Sequence, residues 1–282
     1  MSYPQDLVVA RLASFCDGTI GGNPAGVVLC AHLPDPATMQ SVAAQVGYSE
    51  TAFAAPAGEA WRVRYFAPQI EIPFCGHATI ALGAALARRL GDGVFALQLN
   101  DARITVEGRS SADHLSAALQ SPPTRSEAAP AELLQAALAL FGYRPEDLDP
   151  RLPPAIAEGG ARHLILALES RERLAAMRYD LAAGRALMRA NGFATIALVQ
   201  AQTPRFFHAR NPFAGGGIYE DPATGAAAAA LAGYLRDQHW PHDGAIEILQ
   251  GEDMGTPCRL HAEITPEPGA SIRVSGSVRM ID

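Results

Sequence analysis

The chain has 282 residues, 49% of them hydrophobic and 18% charged; this suits two packed domains of roughly 140 residues each and excludes a disordered chain. The formal charge of −7 comes from 29 acidic residues against 22 basic ones, all arginine and scattered, which argues against nucleic acid as a partner. The absence of lysine excludes a pyridoxal-phosphate Schiff base and a Walker-type phosphate loop. No run approaches the roughly 20 apolar residues of a membrane span, and the opening MSYPQDLVVA lacks a basic start followed by an apolar stretch, so a cytoplasmic location with no membrane partner is expected.

In chain order, alternation of apolar and polar residues predicts a strand at Leu7–Ala13. A helix at Pro36–Val46 stops at Gly47, and strands follow at Thr51–Ala55 and Trp61–Phe66. Ala78–Ala87 reads as a helix apolar on every side, before a strand at Arg103–Val106. The stretch SPPTRSEAAP, Ser121–Pro130, has linker composition and divides an N-terminal half, 1–120, from a C-terminal half, 121–282, whose final strand is free to pack on the first half. In the second half, helices at Pro130–Phe141 and Leu181–Ala190, the latter ended by Asn191-Gly192, alternate with strands at Arg162–Leu168, Thr195–Val199, Arg205–Ala209, Ala245–Leu249, Arg259–Ile264 and Ser271–Val274. A second all-apolar helix, Ala223–Leu235, contains the five alanines Ala226–Ala230.

Helices that are apolar all round are buried, and strands are the available wrapping. The expected fold class is therefore α+β, with two pseudo-symmetric domains, each a curved, barrel-like mixed β-sheet around a central buried helix. A weak internal duplication supports this. Arg64-Tyr-Phe-Ala-Pro leads to Cys75-Gly76-His77 and the first buried helix, and Arg205-Phe-Phe-His-Ala leads through Glu220-Asp221-Pro-Ala-Thr224-Gly225 to the second. Paired about a pseudo-twofold axis, the halves would turn both helix starts toward one interdomain cleft. Unpaired N–H groups there would hold a substrate carboxylate and stabilise charge developing on carbon.

Taken singly, the chemical residues have ordinary readings. Glu50 is a turn carboxylate, His77 a core histidine, Asp221 a helix cap, Cys75 a buried apolar cysteine and Asn23 a turn residue before proline. Cys16, Cys30, Cys75 and Cys258 are too widely spaced for a zinc or disulfide pattern and read as reduced thiols. His239-Trp-Pro-His242 lacks a third ligand and reads as a surface loop, and Gly215-Gly-Gly217 as a flexible cleft loop. No metal site is expected.

Six ordered blocks change the weighting: Gly22-Asn-Pro-Ala-Gly26, Tyr48-Ser-Glu-Thr-Ala-Phe53, Tyr65-Phe-Ala-Pro68, Cys75-Gly-His-Ala-Thr79, Glu220-Asp-Pro-Ala-Thr-Gly225, and Gln250-Gly251 with Met254-Gly255. The sequence resembles the phenazine-biosynthesis isomerase (PhzF-like) family of the diaminopimelate-epimerase-like fold. The resemblance implies a cofactor-independent isomerase that moves a proton between carbons of a small carboxylate or amino-acid-like substrate, with Glu50 as general acid/base, no cofactor, and a homodimer. It implies substrate contacts from Asn23, Ser49, Cys75, Gly76, His77, Asp221, Thr224, Gly225 and Ala226. The epimerases of this fold use two facing cysteines; here Thr224 stands opposite Cys75, and a hydroxyl is too weakly acidic to replace a thiol. Ala226 stands where serine is usual and Thr256 where arginine is usual, so a different or less polar substrate is expected. Two alternatives stay open: an amino-acid epimerase or dehydratase using Cys75 as base, and a catalytically inactive small-molecule-binding protein.

Overall fold

The structure, a computed structural model, describes residues 7–112 and 114–281; the first six residues of the opening stretch lie outside the described residues. It is a mixed α+β fold with a large sheet of 17 strands and six α-helices among the described residues. The chain divides into two compact units, residues 1–120 with 275–282, and residues 121–274. No helix among the described residues is long and apolar enough to cross a membrane.

The first unit opens with β1 (Val9–Cys16), antiparallel to β2 (Asn23–Leu29). The crossover helix α1 (Pro36–Val46) leads to β3 (Glu50–Ala57), parallel to β2, and β4 (Ala60–Phe66) turns back antiparallel on β3. A two-residue strand, β5 (Glu71–Ile72), pairs with the end of β4 and feeds α2 (Gly76–Leu90). Then β6 (Gly93–Gln98) runs parallel to β4, followed by the antiparallel strands β7 (Arg103–Ser110) and β8 (Leu115–Pro123).

In the second unit β9 (Arg125–Ala128) and α3 (Ala131–Phe141) precede β10 (Ala155–Glu158), which is antiparallel to β9 and to β11 (Arg162–Ala167). Helices α4 (Arg171–Ala175) and α5 (Leu181–Asn191) lead to β12 (Thr195–Thr203), parallel to β11, and β13 (Phe206–Pro212) turns back on β12. The two-residue strand β14 (Glu220–Asp221) pairs with the end of β13 and feeds α6 (Gly225–Asp237). Next, β15 (Ala245–Gln250) runs parallel to β13, β16 (Cys258–Glu263) is antiparallel to β15, and β17 (Ser271–Met280) ends the chain, its last residues pairing with β1. The succession antiparallel, parallel, antiparallel, parallel, antiparallel thus occurs twice, each time with a two-residue strand before an alanine-rich helix.

Those helices are the centres of their units. Every residue from His77 to Ala87 of α2 is buried, against β1, β2, β3, β6 and β7. In α6 the residues Ala227–Arg236 are buried, against β9, β10, β11, β15 and β16. Small side chains let strands approach the helix backbone: a Cβ at Gly108 of β7 would lie 2.1 Å from the Gly83 carbonyl oxygen of α2. Larger residues complete the cores. Leu82 and Leu86 of α2 are fully buried, and each such side chain stabilises the fold by about 1.5–3 kcal/mol.

Three expectations are corrected. Ser121–Pro130 is not a linker: it ends β8 and forms β9, which pairs with β10, while Thr124 donates to the carbonyls of Gly269 and Ala270. Its proline- and serine-rich composition reflects an irregular strand, not a free segment. Gly215-Gly-Gly217, expected as a flexible cleft loop, is in part regular: Ala214–Gly216 forms a 3-10 turn against α5, with Ala214 buried and its carbonyl accepting from Arg185 Nε at 3.2 Å, while Gly216 and Gly217 are exposed. Several strands run further than alternation shows, as in β17 and β7, because ladder pairing continues past the alternating core.

One buried histidine gives the second unit a pH dependence. His163 is fully buried, its Nδ1 is 2.8 Å from Thr195 Oγ1, and that hydroxyl donates to Asn211 Oδ1 at 3.0 Å. Thr195 therefore accepts from His163 Nδ1–H, and Nε2 has no hydrogen-bond partner. Burial pushes the imidazole down to about 4, so the folded state resists a proton that the unfolded chain accepts. The associated stability is present above the unfolded value near 6.5 and is lost as pH falls toward 4, about 3 kcal/mol in all. Urea denaturation at pH 7 and pH 4.5 is expected to show a smaller loss in His163→Gln than in the wild type; equal losses refute it.

Candidate active site

The residues with expected chemistry fall into two sets, one in each unit. In the first, α1 delivers Glu50. Asp35 caps its start, accepting from Thr38 N at 3.0 Å, and Gly47 ends it in the left-handed conformation at φ 74°. The chain leaves α1 there, so Tyr48 and Ser49 bring Glu50 to the first position of β3, beside Ala25 in the parallel ladder.

The start of α2 is held by side chains remote in sequence. Cys75 is its N-cap residue and makes no side-chain capping bond. The Cys75 carbonyl accepts from Thr79 N at 3.0 Å and Thr79 Oγ1 at 2.6 Å. Because Thr79 spends its hydroxyl proton there, the buried Tyr65 hydroxyl is the donor in its 2.6 Å contact with Thr79 Oγ1. Burial pushes the Tyr65 phenol well above its ordinary range, so it remains a neutral donor. Ser14 of β1 donates to the His77 carbonyl at 2.7 Å, and Asn23, buried, pairs with Ser14 across the β1–β2 ladder.

These supports gather Ser49, Glu50, Cys75 and His77. His77 Nε2 lies 3.2 Å from Glu50 Oε2 and 3.4 Å from Ser49 Oγ, while Nδ1 lies 3.4 Å from Cys75 Sγ. The imidazole is 7% exposed and the Glu50 side chain 17%. Glu50 Oε2 is shielded from solvent yet has no aligned hydrogen bond, although His77 is close. A Cβ at Gly76 would meet nothing within 4 Å, so the space beside the helix start is open. Glu50, Cys75 and His77 are also the group of described residues whose donor atoms, within 4.8 Å of one another, suit a metal ion.

The second set surrounds the start of α6. Thr224 Oγ1 donates to Asp221 Oδ2 at 2.7 Å. Gln250, 1% exposed, braces both: its Oε1 accepts from Thr224 N at 3.2 Å, and its Nε2 donates to the Asp221 carbonyl at 2.6 Å and to Thr224 Oγ1 at 3.0 Å. Gly225 and Ala226 follow as the first two residues of α6, both half-buried. The N-cap residue of this helix is Thr224, not Asp221, and Thr224 makes no side-chain capping bond. The contributions of Ser14 and Gln250 went unread in the sequence. Gln250 belongs to a recognisable block, whereas Ser14 carries no local signal.

Arginine–glutamate pairs fix how the repeat aligns. Arg64 donates to Glu71 from Nε at 2.7 Å and NH2 at 2.5 Å, and Arg210 to Glu220 from Nε at 3.0 Å and NH2 at 2.6 Å. Each arginine ends its run just before the residue that pairs with β5 or β14, and each glutamate lies four residues before the N-cap. The counterpart of Arg64 is thus Arg210, not Arg205.

The profile of a family described as phenazine biosynthesis-like protein matches residues 12–280. The chain belongs to that family. Among its relatives, an uncharacterized isomerase of Mesorhizobium japonicum is 33% identical over 95% of each chain. The trans-2,3-dihydro-3-hydroxyanthranilate isomerase of Pseudomonas aeruginosa is 33% identical over 94% of this chain and 93% of that one. A Bacillus anthracis phenazine biosynthesis protein of the PhzF family superposes with a TM-score of 0.84 at 21% identity, over 97% of this chain and 96% of that one. Within this phenazine biosynthesis-like family the chain is an isomerase by class.

The two arginine–glutamate pairs differ in burial, 9% and 3% side-chain exposure for Arg210 and Glu220 against 19% and 26% for Arg64 and Glu71. Removing one partner of a buried pair strands a charge, at about 3–5 kcal/mol, whereas a pair that solvent reaches loses less, toward the roughly 1 kcal/mol of a surface pair. Denaturant midpoints are therefore expected to fall much further for Arg210→Met than for Arg64→Met; equal shifts would refute the distinction.

Proposed function

We propose that this isomerase shifts a proton between carbon atoms of a small carboxylate substrate, without a cofactor, and that Glu50 carries the proton. The observation behind this is the state of Glu50 Oε2, an inward-facing carboxylate oxygen with no aligned donor, beside the uncapped start of a buried helix. A base must hold a free lone pair where water does not compete, and removal of a carbon-bound proton needs donors for the charge left behind. The first-turn N–H groups of α2 and the imidazole of His77 are suited to that task.

In this reading Glu50 takes the proton from one carbon, the electron pair delocalises into the adjoining carbonyl or conjugated system, and Glu50 returns the proton to another carbon on the same face. No atom is gained or lost. His77 stands close to the groups it would serve, its Nε2 3.2 Å from Glu50 Oε2 and 3.4 Å from Ser49 Oγ and its Nδ1 3.4 Å from Cys75 Sγ. The family resemblance supports substrate contacts from Asn23, Ser49 and Gly76 in the first unit and from Asp221, Thr224, Gly225 and Ala226 in the second. Each unit is read as a barrel-like half of a pseudo-symmetric pair, a reading supported by the repeated ladder succession and the twice-occurring arginine–glutamate pair. Four free cysteines fit a reducing cytoplasm, and a homodimer is the assembly the family resemblance favours. Ala226 and Thr256 favour a substrate less polar than trans-2,3-dihydro-3-hydroxyanthranilate, the compound that names one relative.

A second reading has a specific observation behind it: the 3.4 Å contact between Cys75 Sγ and His77 Nδ1 also suits a thiolate base for epimerisation or elimination. Deuterium incorporation into small amino acids and cyclic carboxylates, followed by mass spectrometry, separates the two. Glu50→Gln is expected to reduce exchange at least about 100-fold, with Cys75→Ser retaining most of it. The opposite pattern would move the base to Cys75.

A further inference from the structure

Behind the start of α2 runs a chain of hydroxyls that takes no direct part in the proton transfer. Thr79 Oγ1 donates to the Cys75 carbonyl at 2.6 Å, and the Tyr65 hydroxyl donates to Thr79 Oγ1 at 2.6 Å. Both side chains are fully buried. We propose that Tyr65 and Thr79 are positioning residues that strengthen the Gly76 N–H as a donor to the charge formed on the substrate. The use of that donor rests on the Glu50 reading; the chain of hydroxyls rests on geometry.

The Cys75 carbonyl and the Gly76 N–H are the two ends of one planar, conjugated peptide group. A hydrogen bond accepted by the carbonyl draws electron density from the nitrogen and leaves its proton more positive, and bonds in series reinforce one another by about 10–30% each. This carbonyl accepts twice, from Thr79 N at 3.0 Å and from Thr79 Oγ1. A threonine that bonds back four residues is ordinary in a helix and marks nothing alone. The second hydroxyl is different: it comes from β4, fills the acceptor side of Thr79 and so aims the threonine proton at the carbonyl. At the far end of this peptide group, Gly76 is the first residue of α2, half-buried, with open space where a side chain would stand. Its N–H has no partner within the helix.

The second unit supplies the contrast. Counted from the N-cap residues, Thr79 corresponds to Ala228; counted from the paired arginines, Tyr65 corresponds to Asn211. The Thr224 carbonyl accepts from Ala228 N at the same 3.0 Å, but alanine has no hydroxyl to add, and Asn211 Oδ1 accepts from Thr195 instead. The frame is repeated while the hydroxyl relay is not. A packing role common to both central helices therefore does not account for it, and the unit that has it is the one that carries Glu50.

The test is hydroxide-catalysed exchange of the Gly76 amide proton, followed by NMR on the isotope-labelled full-length protein. A more polarised N–H loses its proton faster, so loss of the relay slows exchange, whereas a loosened helix start speeds it. Tyr65→Phe and Thr79→Val are each expected to slow Gly76 at least about 2-fold, and Thr79→Ser, which keeps the hydroxyl, should retain the wild-type rate. Ser14→Ala removes a buried donor from the His77 carbonyl, which belongs to a different peptide group, and should not slow Gly76. An unchanged or faster rate in Tyr65→Phe or Thr79→Val, or equal slowing in Thr79→Ser or Ser14→Ala, overturns the relay. For a compound that exchanges deuterium, Tyr65→Phe should lower kcat about 2- to 8-fold at unchanged KM, the effect of 10–30% of a donor worth about 10²–10³-fold; an unchanged kcat overturns the catalytic use. The Gly76 rates involve no substrate. If they follow expectation while Glu50→Gln keeps full activity, the Glu50 reading fails and the relay stands.

Discussion

A helix with no polar side has to be enclosed, and that constraint organises each unit. The flanks of α2 are buried from His77 to Ala87, and Gly108 lets β7 come onto the helix backbone at Gly83. With the flanks spent on packing, the two ends are what remain for chemistry. At the C-terminal end Arg88 and Arg89 meet the negative pole of the helix and face outward. At the other end the N-cap residue Cys75 makes no side-chain capping bond, and the residues there are the short run Cys75-Gly76-His77. Burial of the helix flanks and the open polar start are therefore two results of one packing arrangement.

The two units keep a common frame and differ in what they carry on it. Both place a bidentate arginine–glutamate pair four residues ahead of an uncapped alanine-rich helix. The first adds a thiol, an imidazole and the carboxylate of Glu50; the second adds a carboxylate, a hydroxyl and a buried amide that ties them together. With the frame retained, substitution at the helix starts gives the two units different polar groups: in the proposed reading, acid/base groups in the first and ligand-holding groups in the second.

Much of the scaffold was legible because its signals are local. Pro36, Gly47 and Gly192 mark helix limits, and the all-apolar stretches disclosed both central helices to within a few residues. The strands β5 and β14 could not be seen, since two residues have no periodicity and exist only through pairing with β4 and β13. The duplicated arginine was misaligned for a similar reason. Glu71 lies seven positions after Arg64 but Glu220 lies ten after Arg210, and side-chain contact, not spacing, reveals the equivalence. At the candidate site the family blocks named Glu50, Cys75 and His77, while Ser14 stayed hidden because it acts across 63 positions of sequence. The proline-rich stretch at 121–130 misled because composition reports flexibility only where no neighbour supplies hydrogen bonds.

Both β8 and β17 straddle the limits of the two units, so the first unit combines residues 1–120 with residues 275–282. The ladder between β1 and Val278, Arg279 and Met280 therefore spans the whole of residues 121–274. Pairings between residues so distant in sequence must offset a large loop-closure entropy before they stabilise anything, and they slow folding. The unit that carries Glu50 thus depends on a long-range closure for its first strand to be fully paired.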